Sequence, residues 1–249
     1  MLLFFRPWRA VAWVCAALGV LASGALLGRV AQAGGDGLSG NGAVIWRVAT
    51  TAPEVALTFD DGPDPQYTVQ VLDLLVQSHS AATFFVLGAQ AARFPGLVRE
   101  EAEDGFQVCN HGWSHRLMRG MTPGAVAAEV TRTSELLQRL GAPGCDLFRF
   151  PYFASDGTAR SVVSGLGYRI VAANVDTLDW QRRSPRTMAN RVLQQVRPGD
   201  IILMHDAGGR RGRTVAALAL ILAGLRADGM RAVTVGALLQ ASAGTGRLA

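Results

Sequence analysis

Beyond Pro53 the chain alternates short apolar runs with amphipathic helical patterns, and the runs are apolar at consecutive positions rather than at every second one. Such strands must be covered on both faces. That points to an α/β fold with a parallel sheet wrapped by helices, not to an antiparallel sheet with one face in water. The strand candidates are 55–59, 82–86, 107–109, 147–150, 168–172, 201–204 and 232–235. Helical patterns cover 67–78, 95–104, 123–140, 156–166, 185–197 and 214–227. Two of them open on a cap followed by proline, Thr122-Pro123 and Ser184-Pro185, which is a helix-start signature. About seven parallel strands in this length fit an incomplete (β/α) barrel or an open doubly wound sheet, and periodicity does not separate the two.

The first 33 residues belong to a different problem. Arg6 and Arg9 precede an apolar run at 10–27, and Ala31-Gln32-Ala33 has the small-x-small pattern of a signal-peptidase site. The expectation is an exported protein, periplasmic or secreted. If the segment stays uncleaved, it would anchor the chain to the inner membrane. A Gly/Ala/Thr-rich linker at 34–52, a folded domain at 53–240 with alternating strand and helix patterns, and a flexible tail at 241–249 follow from composition and pattern.

The 24 Lys+Arg are all arginine, against 19 Asp+Glu, for a formal net charge of +5. Removing 1–33 takes away Arg6, Arg9 and Arg29 and no acid, so +5 falls to +2. A near-neutral mature chain excludes a nucleic-acid partner. With 49% hydrophobic and 17% charged residues, disorder is excluded as well. Cys109 sits near the end of one strand candidate and Cys145 before the start of another, so two free, buried thiols are expected rather than a bridge.

In either architecture functional groups gather at the C-terminal ends of the strands. The first strand is followed by Asp60-Asp61-Gly62-Pro63, and the third by His111-Gly112-Trp113-Ser114-His115. Two imidazoles at i and i+4 converge on one ion when the segment is turned. With Asp61 they make a three-ligand site that leaves positions open for water and substrate, the catalytic kind. The fourth strand ends in Arg149-Phe150-Pro151-Tyr152, the fifth leads to Asp176-Thr177-Leu178-Asp179-Trp180, and the sixth ends in Leu203-Met204-His205-Asp206. Each motif alone has a bland reading as a turn, a surface pair or a rim ion pair. Five strand ends in one order point to a mononuclear metal hydrolase with a carboxylate–histidine acid/base pair.

The order TFDDGP, HGWSH, RFPY, DTLDW, LMHD resembles the five motifs of the polysaccharide deacetylases, the NodB-homology domain of carbohydrate esterase family four. The resemblance implies a distorted, incomplete (β/α) barrel. It implies hydrolysis of N-acetyl groups on an amino-sugar polymer or oligosaccharide such as peptidoglycan or chitin, with one divalent metal ion. Zinc leads, while cobalt, nickel and manganese suit the same donors. Asp60 would be the base, Asp61, His111 and His115 the metal ligands, and Arg149 the partner of Asp60. His205 would be the acid, oriented by Asp179. The Tyr152 N–H would face the oxyanion, and Trp180 and Leu203 would wall the acetyl-methyl pocket. Gly112 stands where the family often has Thr or Ser, and Phe150 and Phe153 replace a proline and a glycine of the third motif. Two readings stay open beside this one: an O-acetyl esterase using the same site, and a non-catalytic glycan-binding envelope protein. The Gly208–Arg213 stretch, rich in arginine, is either a contact for an anionic polymer at the site mouth or a solvated loop.

Overall fold

A computed structural model describes residues 42–142 and 144–245. The leader at 1–33, residues 34–41 of the expected linker and residues 246–249 lie outside the described residues. In chain order the elements are β1 (Val44–Ile45), β2 (Glu54–Asp60), α1 (Tyr67–Gln77), β3 (Thr83–Val86), α2 (Gly88–Arg93), α3 (Pro95–Glu103), β4 (Gln107–Asn110) and α4 (Pro123–Arg139). Then come β5 (Leu147–Phe148), α5 (Gly157–Gly165), β6 (Arg169–Val171), β7 (Val175–Asp176), α6 (Pro185–Leu193), β8 (Ile201–His205), α7 (Gly212–Ala227), β9 (Arg231–Val233) and α8 (Val235–Thr245).

The strands form a nine-stranded sheet in the order β1-β6-β5-β4-β3-β2-β8-β7, with β9 also on β2, and every named pair is parallel. Residues 172–174 alone separate β6, which pairs β5, from β7, which pairs β8. One broken strand thus brings the two flanks of the sheet round toward each other, and the sheet curls into a distorted, incomplete (β/α) barrel.

Strand parity sorts the core. On β2, Val55, Leu57 and Phe59 face the helices. Ala56 belongs to the interior cluster with Phe85, Cys109, Leu147, Val171, Ile201 and Leu203. Continuing that parity along β2 carries Thr58 and Asp60 into the interior above the apolar layer. The other end is filled by α8, whose Val235, Leu238 and Leu239 join the interior cluster. Three helix starts are capped by side chains: Thr122 accepts from the Ala125 N–H, Asp156 from Ala159 and Ser184 from Thr187.

Several boundaries differ from the sequence expectation. Part of the expected linker belongs to the fold, because β1 pairs β6 and Ile45 and Val48 are buried. The expected strand at 232–235 ends at Val233, and α8 begins at Val235 and runs through the first part of the expected flexible tail, to Thr245. The two-residue strand β7 and the helix α2 lie below the length at which a periodic pattern is legible.

The expectation of free thiols is corrected. Cys109 and Cys145 form a disulfide with a Cα–Cα distance of 5.2 Å. The β4–β5 register pairs Asn110 with Phe148, which puts Cys109 level with Leu147. Cys145 is two residues upstream of that level, in an irregular segment free to curl toward β4. The bridge closes a sequence separation of 36, a loop whose cross-linking stabilises by about 3–4 kcal/mol in the chain-entropy account. Guanidinium unfolding with and without a thiol reductant should show that loss as a lower midpoint. A midpoint indifferent to reductant would mean that the bridge does not form in solution.

Candidate active site

Asp60 is the last residue of β2 and His205 the last of β8, and the two are register partners on adjacent strands. Asp61 follows with φ 76°, outside the strand conformation. His111 follows β4, and His115 lies four residues on with φ 57°. The Asp61 Oδ1 atom is 3.6 Å from His111 Nε2 and 3.1 Å from His115 Nε2. The ligand atoms of these three residues all lie within 4.8 Å of one another.

The fit to a cation rests on the chain's own chemistry. His111 Nδ1 is 2.8 Å from the Arg149 carbonyl. A carbonyl only accepts, so Nδ1 carries the proton and Nε2 presents its lone pair to the cluster. Asp61 Oδ1 is buried with no hydrogen-bond partner among the described residues. Burial alone would raise the Asp61 pKa. The imidazoles of His111 and His115, with the charge of His205, outweigh it and hold the carboxyl well below its ordinary range. An ionised, under-satisfied carboxylate beside two imidazoles suits a borderline divalent ion.

Arg149 is fully buried. Its Nη1 donates to Asp60 Oδ1 at 2.7 Å and to Thr58 Oγ1 at 2.8 Å, and its Nη2 donates to the Ala172 carbonyl at 2.9 Å. The guanidinium lies 4.1 Å over the Phe85 ring. Burial lowers the Arg149 pKa against the opposing charge of Asp60, yet a guanidinium stays charged in a protein. Asp60 Oδ1 is thereby occupied. Oδ2 faces the Asp61–His111–His115 cluster, 3.8 Å from His111 Nε2.

On the neighbouring strand β8, His205 Nδ1–H donates to Asp179 Oδ1 at 2.7 Å. Asp179 Oδ2 accepts from the His205 backbone N–H and from Thr214 Oγ1. Burial would lower the His205 pKa, but the hydrogen bond and charge of Asp179, with Asp61 and Asp60 beyond, raise it to about 9. Leu203 shares the interior face of β8 and is buried, while Trp180 is half-exposed, with its indole N–H directed at Asp176 Oδ2. Tyr152 is exposed, with φ 60°, and its ring meets the His115 ring edge-on at 4.5 Å.

The structure therefore gathers Asp60, Asp61, His111, His115, Arg149, Asp179 and His205, sets Tyr152 on the rim and leaves Leu203 in the buried apolar layer beneath. The Gly208–Arg213 stretch divides. Arg211 is buried, donates to the Ala207 carbonyl and stands 4.0 Å from Asp179 Oδ2, whereas Arg210 and Arg213 are exposed. Sequence reasoning passed over four supporting residues. Thr58 and Thr214 hold Arg149 and Asp179. Asn110 Oδ1 accepts from the Gly112 N–H, and Glu129 accepts from Trp113, Ser114 and the Ser114 hydroxyl. The only signal for Thr58 was its parity with Asp60, two positions on.

Gly112 has its own reason. Its φ is 80°, and a Cβ there would stand 2.7 Å from Met118 Cε. A Cβ on Gly62 would stand 2.4 Å from Asp206 Oδ2, so the turn after Asp61 packs directly on that carboxyl. Burial pushes the Asp206 pKa up to about 7, and Oδ2 accepts from Thr68 Oγ1.

The chain matches the polysaccharide deacetylase family over residues 47–171. It is 35% identical to a peptidoglycan-N-acetylglucosamine deacetylase of Bacillus cereus over 82% of this chain and 96% of the relative. It is 34% identical to a chitooligosaccharide deacetylase of Sinorhizobium fredii over 74% and 90% respectively. Among solved structures, a peptidoglycan N-acetylglucosamine deacetylase bound to a hydroxamate-type ligand superimposes with a TM-score of 0.77 at 35% identity, covering 80% of this chain and 93% of the other.

Replacing Asp179 with Asn should drop the His205 pKa from about 9 toward the ordinary value of about 6.5, read by NMR titration of the ring. The folded value lies above the unfolded one. The stabilisation from this pairing is therefore complete below about pH 6.5 and is lost as pH rises through about 9. A titration unmoved by the substitution would remove Asp179 as the cause.

Proposed function

The chain belongs to the polysaccharide deacetylase family, and we propose that it is a metal-dependent N-deacetylase of amino-sugar polymers in which Asp60 is the base and His205 the acid. The carrying observation is the convergence of five residues from three strand ends. Asp60 and His205 stand side by side in register, and Asp61, His111 and His115 close on one point beside Asp60.

Asp61, His111 and His115 would hold the divalent ion, with zinc the leading candidate and cobalt, nickel or manganese suited to the same donors. Such an ion supplies Lewis acidity, polarising an amide carbonyl and acidifying water. The chain's own groups do the rest. Asp60, fixed through Oδ1 by Arg149, presents Oδ2 to accept the proton of the attacking water. The Tyr152 N–H donates to the carbonyl oxygen as it gains charge, an interaction worth about 3 kcal/mol per donor. His205, protonated at neutral pH through Asp179, gives its Nε2 proton to the departing amine, so acetate and a free amino sugar result. Trp180 and Leu203 border the space for the acetyl methyl.

Export is part of the same proposal. The basic-then-apolar N-terminus with its small-x-small site supports it. The Cys109–Cys145 bridge supports it independently, because such bridges persist in oxidising compartments.

Acetate release should be measured on chitooligosaccharide, peptidoglycan and acetylxylan with metal-stripped and reloaded protein. Stripping should abolish release from the two amide substrates, and reloading should restore it. Asp60→Asn or His205→Ala should lower turnover at least about 100-fold while zinc still binds, whereas His111→Ala should lose stoichiometric zinc. Release from acetylxylan alone would assign the site to esters. Near-normal turnover by either acid/base variant would dismiss Asp60 as the base or His205 as the acid.

A further inference from the structure

A cavity of about 220 Å³ lies at the rim where β1, β5 and β6 end, walled by Trp46, Phe150, Phe153 and Ser155 with Arg119 and Arg160. Its position ties it to the active site. Ala172 lines it while its carbonyl holds Arg149, and the Phe153 ring lies 5.7 Å from the Arg149 guanidinium carbon. Trp46 and Phe153 are in ring contact, with centroids 5.9 Å apart. Phe150 and Phe153 are the two positions at which the third motif departs from the family pattern, and Trp46 follows β1 directly. Two of the cavity's walls are therefore departures from that pattern.

Its charge is one-sided. Neither Arg119 nor Arg160 takes part in the ion pairs of the described residues. Asp156 feels the charge of Arg119, but its two oxygens are occupied by the Gly120 and Ala159 N–H groups, each at 2.8 Å. Arg116, Arg182, Arg183 and Arg210 stand exposed on strand-end loops, and Arg213 in the first turn of α7, which favours approach of a polyanion. The volume is below the range of about 300–1,000 Å³ usual for drug-sized ligands, so it admits a substituent rather than a whole sugar unit. Aromatic walls with two planar guanidiniums match a short aliphatic group ending in a carboxylate.

We propose that this cavity is a specificity subsite for a carboxylate-bearing aliphatic substituent of the glycan, such as a lactyl ether, with Arg119 and Arg160 pairing the carboxylate and Trp46 and Phe153 covering the alkyl part. The assignment rests on the deacetylase reading of the site. N-acetylmuramic acid and N-acetylglucosamine differ only in the lactyl ether, so their binding to the full chain isolates it. The wild type should bind the carboxylated sugar at least about tenfold more tightly, and the gap should close in the Arg119→Gln/Arg160→Gln double variant and shrink with salt. In turnover, the double variant should raise KM for peptidoglycan strands and leave KM for chitooligosaccharide and both kcat values unchanged. Equal affinity of the wild type for the two sugars overturns the subsite, as does a double variant that keeps the discrimination or loses both substrates alike. Discrimination between the sugars without acetate release from any substrate would instead refute the deacetylase mechanism, so the two failures are told apart.

Discussion

The buried guanidinium of Arg149 is the constraint around which the site is arranged. Taking a charge out of water costs several kcal/mol, and only close pairing with well-aimed hydrogen bonds offsets it. In this site the offset comes from Asp60, Thr58, the Ala172 carbonyl and the Phe85 ring. Its Nε has no partner among the described residues. The same residue's own carbonyl fixes the tautomer of His111. One side chain and its backbone therefore hold both the proposed base and a proposed ligand. Leaving either member of the Arg149–Asp60 pair alone would cost about 3–5 kcal/mol, so this part of the interior has little freedom to drift.

Above that pair the backbone carries strain. Among the described residues seven non-glycine residues have positive φ, and Asp61, His115, Tyr152, Phe153, Leu178 and Arg182 are six of them, all on strand-end loops. Such conformations cost of order 1–3 kcal/mol each and persist only where surroundings over-determine them. The surroundings are visible. Glu129 gathers two N–H groups and a hydroxyl of the His111–His115 loop, and Asp206 packs against the turn after Asp61. A pair of like carboxyls in that second layer, Asp206 and Glu101, is kept apart from water, and burial raises the pKa of each.

The chemistry-bearing residues were legible because they stand at strand ends, where side chains of different strands converge whatever the loops do. Asp60, His111, Arg149 and His205 follow from that rule alone. The long, continuous apolar strand β2 and the capped helices α4 and α6 were legible for the same local reason: their signals lie within a few residues. What escaped depends on neighbours. Two-residue strands such as β1 and β7 exist only because β6 and β8 offer them ladders. Val235 reads as strand by composition but opens a helix, because its N–H is taken by Thr83 Oγ1 and its side chain plugs the interior. The Cys109–Cys145 bridge escaped because it depends on how β5 registers against β4, which no single segment encodes. Arg211 reads as a solvent-facing cation until Asp179 is placed beside it.

The register of β2 against β8 has a consequence for what can vary. The proton acceptor and the proton donor of the proposed reaction sit one strand apart, so their spacing is a repeat distance of the hydrogen-bonded ladder, about 4.8 Å between chains. No loop length enters it. Insertions or substitutions in the connecting segments would reshape admission, grip and preference among polymers while the proton-transfer gauge stays constant. Diversification of substrates and conservation of chemistry are, in this architecture, tasks carried by physically separate parts of the chain.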